Sequence, residues 1–229
     1  MGLTNPQTNH EVCGVIFQLI DEFIFPDPSL AEEDGLLAVG GDLRPGRLML
    51  AYENGIFPWY SKDTPILWYS PHERFVLFPH KIKLTRSMRQ FLKKENVEIR
   101  MDTNFEAVIR NCETVNREGQ DGTWITDDMR QAYIELHRLG IAHSIETYID
   151  GKLAGGLYGV QTGNVFCGES MFSLQPNASK TALVWLATTQ GYDLIDCQVH
   201  TPHLESMGAE FITREAYGKI LQASNTNTV

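Results

Sequence analysis

Apolar residues follow a helical period through the middle of the chain and a strand period after residue 141. Met88, Phe91 and Leu92 fall at i, i+3 and i+4, which predicts an amphipathic helix over Arg86–Lys94 with basic residues on its other faces. Phe105, Val108, Ile109 and Cys112 predict a second helix over Asn104–Cys112. A third begins after Thr126, where Asp127 and Asp128 suit the positive end of the helix dipole. Met129, Ala132, Tyr133, Leu136 and Leu139 continue it, and Gly140 stops it.

The period then falls to two. HSIETYI, Asp150-Gly151 and KLAGGLYGVQ read as a hairpin, and Gly163-Asn164 turns the chain into a further strand, VFCGESMF. Asn177 or Ser179 is placed to cap the helix SKTALVWLATTQ, which ends at Gly191. DLIDCQV reads as a buried strand, with short helical pieces around His203–Met207 and Arg214–Leu221. Upstream, residues 1–24 form a variable leader, and a stretch rich in Pro, Gly and Asp follows. A short helix opens near Pro45 and closes before Gly55. The aromatic, proline-rich segment after it reads as loop then strand. These elements predict a mixed α/β (α+β) chain: a small N-terminal domain over 1–74 and a C-terminal domain with a central mixed sheet over 75–229.

Composition adds limits. The chain has 229 residues, 42% hydrophobic and 21% charged, enough to bury a core without staples. It has no apolar run of membrane-spanning length and no secretory signal, so the expected compartment is the cytoplasm. Its four cysteines are scattered, without a CxxC. The net charge of −10 argues against non-specific nucleic-acid binding. The charge is uneven, however. No Lys or Arg precedes Arg44, whereas Lys81, Lys83, Arg86, Arg89, Lys93 and Lys94 run without an acidic residue among them. Such a strip is a solvated helix edge or a phosphate-contacting face.

Three clusters could carry chemistry. Phe57, Trp59, Tyr60, Trp68 and Tyr69, with Trp124 further on, are either packing or the wall of an apolar pocket. Glu169 stands in an otherwise apolar strand, so it is paired and functional, or it faces solvent. Asp196 and Gln198 are two apart on one strand and can act together. Cys197, His200 and His203 have donor types that suit zinc, but their spacing converges poorly and no fourth donor is evident. GxSxG, P-loop and GxGxxG motifs are absent.

FPDPSLAEEDGLLAVGGDL, GIFPWYS, ILWYSP, GTWIT, AHSIE, GGLYGV, FCGESMFS, NASKTAL and LIDCQ follow in this order from about Phe25 to about Tyr217. In these segments the chain closely resembles the leucyl/phenylalanyl-tRNA–protein transferase family. The resemblance implies a C-terminal domain like the GNAT acyltransferases, with neither cofactor nor metal. It implies transfer of Leu or Phe, and Met less well, from aminoacyl-tRNA to proteins with N-terminal Arg or Lys. It further implies a cytoplasmic monomer that marks proteins for N-degron proteolysis. By resemblance Asp196, Gln198 and Glu169 are catalytic. Trp59, Trp124, Leu157, Phe166, Ser170, Met171, Phe172 and Asn177 bind substrate, and the basic strip from Lys81 to Lys94 meets the tRNA. The family commonly has Met where this chain has Leu157, so the donor ranking can differ here. Two rival readings are a CoA-dependent N-acyltransferase, for which the pyrophosphate loop is missing, and a non-enzymatic N-degron adaptor.

Overall fold

A computed structural model describes residues 16–114 and 125–226. The chain first builds a four-stranded sheet from β1 (Phe17–Leu19), β2 (Leu36–Gly40), β3 (Phe57–Pro58) and β4 (Leu67–Tyr69), in the order β1-β2-β4-β3. Helix α1 (Pro45–Glu53) packs beside it and opens on a proline, whose missing N–H costs nothing at a helix start.

A seven-stranded sheet follows. Its strands are β5 (Glu73–Leu77), β6 (Val97–Met101), β7 (Ala142–Ile149), β8 (Lys152–Thr162), β9 (Val165–Ser173), β10 (Leu194–Gln198) and β11 (Glu210–Thr213). Their order is β11-β5-β10-β9-β8-β7-β6. Among the described strands of this sheet only β9 and β10 pair in parallel, because α5 (Ala178–Thr189) carries the chain back between them. Asp150 (φ 52°) and Gly151 (φ 72°) make the left-handed turn that joins β7 to β8.

Two apolar clusters lie on opposite faces of this sheet. One, built around Val108, Tyr133, Tyr158 and Phe172, is shared with the first sheet, α1, α3 (Phe105–Glu113) and α4 (Asp127–Arg138). The other, built around Leu157, Phe166, Leu183 and Ile195, is covered by α5 and by the basic segment. Thr126 caps α4 through Met129 N, and Asn104 caps α3 through Ala107 N.

Several details differ from the expectation. The basic helix α2 spans only Arg86–Phe91. Helix α5 starts without a side-chain cap: Asn177 takes a left-handed conformation (φ 71°) and its side chain makes no capping bond. Strands β2, β6 and β11 are additions to the expected elements: LLAVG in β2 and EFIT in β11 do not alternate, whereas VEIRM in β6 does alternate apolar and polar residues and carries a strand signal. The final pieces are α6 (Pro202–Ser206) and α7 (Arg214–Thr226), the latter longer than its pattern suggests.

Candidate active site

The site forms where β9 and β10 part. Their parallel pairing ends at Cys167–Asp196, and each strand then bulges. On β9 the register with β8 slips between Gly168 and Ser170, so Glu169 is the extra residue. On β10 the register with β5 slips between Asp196 and Gln198, so Cys197 is the extra residue and Gln198 has φ 58°. A bulge re-aims side chains that plain alternation would send elsewhere. The expectation that Asp196 and Gln198 share a face of a regular strand is corrected by this bulge. Gly159 is required at the junction, since a Cβ there would lie 2.3 Å from Cys167 O.

Glu169 is buried, which overturns the solvent-facing alternative. Its Oε1 accepts from Gln198 Nε2 at 2.7 Å and meets Tyr52 OH at 2.8 Å. Its Oε2 meets Tyr133 OH at 3.1 Å, and the two phenols also bond to each other. Tyr52, Tyr133 and Glu169 therefore make three oxygen–oxygen contacts in a ring. Two phenols supply two protons, so the third contact is satisfied when the carboxyl carries its own proton. Burial acts the same way. It pushes the Glu169 pKa up to about 7, against the lowering effect of its hydrogen bonds to Tyr52, Gln198 and Tyr133. Both phenols stay protonated, their pKa values raised by burial and by the Glu169 charge.

Asp196 is fully enclosed. Its Oδ2 accepts from Arg74 Nη2 at 2.8 Å and from Tyr217 OH at 2.9 Å. Its Oδ1 accepts from the Gln198 backbone N–H at 2.8 Å and from Arg74 Nε at 3.2 Å. Burial opposes the Arg74 charge, but the Asp196 carboxylate more than offsets this and the guanidinium pKa is raised. The pair is thus a fixed, internally neutral unit. It holds the Gln198 backbone in its strained conformation and so aims the Gln198 amide at Glu169.

A cleft of about 630 Å³ opens beside these groups. Trp59, Leu157, Phe166, Ser170 and Met171, expected to bind substrate, line it together with Glu169, Asp196 and Gln198. Trp59 is 38% exposed at its rim. Phe172 is not among the lining residues: it packs in the core on the opposite face of the sheet. Asn177 lines a separate hollow of about 410 Å³ with Phe91, Lys94 and Asp150. Trp124 lies outside the described residues. Lys81, Lys83, Arg86, Arg89, Lys93 and Lys94 are all exposed, and the apolar side of their segment rests on the same cluster that floors the cleft. Cys197 lines the cleft, but burial and the nearby Asp196 charge raise its pKa, which disfavours the thiolate a nucleophile needs. Among the described residues no group of three His, Cys, Asp or Glu is arranged to hold a metal.

Sequence reasoning missed Arg74, Tyr52, Tyr133 and Tyr217. A signal existed for each. Arg74 is a charge inside the apolar run RFVLF, and the rule applied to Glu169 demands a partner for it too. The tyrosines occupy apolar positions of helices, where a buried phenol needs an acceptor.

A buried carboxyl of raised pKa and an aimed amide beside an apolar cleft are groups suited to acid–base chemistry, as in an enzyme that works without its own covalent nucleophile. Comparison with known proteins narrows this class. Residues 76–222 match the family described as leucyl/phenylalanyl-tRNA protein transferase, and residues 41–72 match its N-terminal domain. The chain is 55% identical over 204 residues to the leucyl/phenylalanyl-tRNA–protein transferase of Syntrophus aciditrophicus, covering 88% of this chain and 85% of that one. It is 49% identical over 211 residues to that of Flavobacterium johnsoniae, covering 91% of this chain and all of that one. A GCN5-related N-acetyltransferase from Kribbella flavida overlaps at a TM-score of 0.37 and 10% identity, over 72% of this chain and 60% of that one. The chain belongs to the leucyl/phenylalanyl-tRNA protein transferase family.

Proposed function

We propose that the protein transfers Leu or Phe, and Met less well, from aminoacyl-tRNA to the N-terminal Arg or Lys of acceptor proteins. The observation that carries this reading is the Glu169–Gln198 pair at the wall of an apolar cleft. The acceptor α-amine attacks the carbonyl carbon of the ester at the tRNA 3′ adenosine. A C–N bond forms, the C–O bond to the ribose breaks, the amine loses a proton and the ribose oxygen gains one. An α-amine has a reference pKa of about 8, so a neutral fraction exists near neutral pH and no enzyme-bound acyl intermediate is needed. With a pKa near 7, Glu169 has an ionised fraction at that pH, and this form is suited to take the amine's proton while Gln198 orients the amine. Asp196, with every lone pair engaged, is a positioning residue that acts through Gln198.

Trp59, Leu157, Phe166 and Met171 suit an unbranched-β apolar side chain. One methylene in such a pocket is worth only ~1–3 kcal/mol, so modest promiscuity between Leu, Phe and Met follows. The basic strip would contact tRNA phosphates, which makes recognition insensitive to tRNA sequence. On this reading the enzyme acts as a cytoplasmic monomer; among the described residues no helix is long and apolar enough to cross a membrane. The test is transfer of labelled Leu and Phe from charged tRNA to peptides beginning with Arg, Lys, Asp or Ala. Transfer to the Arg and Lys peptides alone is expected. Binding of Arg peptides without transfer would favour the adaptor reading instead.

A further inference from the structure

Beyond the catalytic pair, the cleft has an aromatic lip. Phe75 is buried as its floor, with ring centroids 4.9 Å from both His200 and Phe211. His200 and Phe211 stand nearly parallel on it, 5.7 Å apart at 18°. His200 lines the cleft mouth, and Glu205 Oε2 holds its Nε2 at 3.0 Å. Phe211 is half exposed on β11, the edge strand of the sheet. A large aromatic ring left half in water beside a substrate cleft has an apolar face to offer.

Its neighbours indicate the occupant. Glu210, adjacent to Phe211, forms an ion pair with Lys81. The Lys83 backbone N–H donates to Met207 O at 2.8 Å. Glu210 points to the other face of β11 from Phe211, as Val76 and Phe75 opposite them do, but the Lys83–Met207 bond brings the start of the basic strip to the segment that leads into β11, next to the lip. A ligand reaching from exposed cations to the cleft passes flat ring faces on the way. Single-stranded nucleic acid binds by that combination, with phosphates on cations and bases on aromatic rings. We propose that the His200–Phe211 lip stacks the unpaired bases that precede the terminal adenosine of the donor RNA. This deepens the aminoacyl-tRNA reading and rests on it.

The test uses the whole protein and an acceptor-stem RNA hairpin ending in CCA with a non-hydrolysable 3′-amide-linked leucine. A second hairpin carries abasic residues in place of the two cytidines. Fluorescence anisotropy should show wild type preferring the CCA hairpin by about tenfold, equivalent to ~1.4 kcal/mol. Phe211→Ala and His200→Ala should each lose most of that preference, and Phe211→Trp should keep it. Phe211→Ala should leave the KM for an Arg-initiated peptide within twofold. Equal weakening toward both hairpins, or a raised peptide KM with RNA binding unchanged, would overturn the lip as a base platform. Wild type binding neither hairpin would overturn the donor reading itself, and the lip with it.

Discussion

Replacing Glu169 by Gln should stabilise the protein at alkaline pH and not at acidic pH. The native carboxyl has its pKa raised from 4.5 to about 7. The folded state therefore binds more protons than the unfolded state between these values, and stability falls as pH rises through that window. Each pKa unit is worth ~1.4 kcal/mol, so the full loss is on the order of 3 kcal/mol, most of it between pH 5 and pH 8. Gln copies the neutral carboxyl: its oxygen accepts where Oε1 does, and its amide donates toward the tyrosine ring. Other titrating groups cancel when variant and wild type are compared at the same pH. Urea unfolding at pH 5 and pH 8 reads the difference. The stability of Glu169→Gln relative to wild type should rise by roughly 2–3 kcal/mol between the two. A relative stability that does not change with pH would refute the protonated Glu169–Tyr133–Tyr52 ring.

Three further outcomes follow, two from the site and one from the basic helix. Asp196→Ala strands the Arg74 charge in the core and should cost ~3–5 kcal/mol in urea unfolding. The milder Asp196→Asn keeps an acceptor for the Gln198 N–H and should lower kcat while leaving the KM for Leu-tRNA near wild type; an equal effect on both would make Asp196 merely structural. Arg86→Gln with Arg89→Gln should reduce the slope of log affinity for Leu-tRNA against log salt by about 2, and an unchanged slope would remove α2 from the RNA contact.

Much of the fold was legible because long elements repeat their pattern. Helices α3 and α4 announce themselves by spacing and by Asn104 and Thr126 at their starts. The β7–β8 hairpin is marked by Asp150-Gly151. Strands such as β2 (LLAVG) and β11 (EFIT) carry no alternation of apolar and polar positions, so no period shows in them. Trp59, Leu157, Phe166 and Met171, which the family resemblance groups at the substrate, do line one cleft. Phe172 escaped because its placement follows from the register after the Glu169 bulge, where it faces Gly156 on the far side of the sheet. Asn177 escaped because its left-handed backbone turns it from the helix start toward another hollow. The tyrosine ring and the Arg74–Asp196 pair are long-range contacts, with sequence separations from 36 to 122, which no local pattern encodes.

The most direct test is the pH dependence of single-turnover Leu transfer from Leu-tRNA to an Arg-initiated peptide. Wild type should show the limb of the peptide amine and a second limb near pH 7, set by Glu169. Glu169→Gln should lose that second limb and fall about 10²-fold in rate. Identical profiles would contradict Glu169 as the proton acceptor, and no transfer by wild type at any pH would contradict the proposed activity.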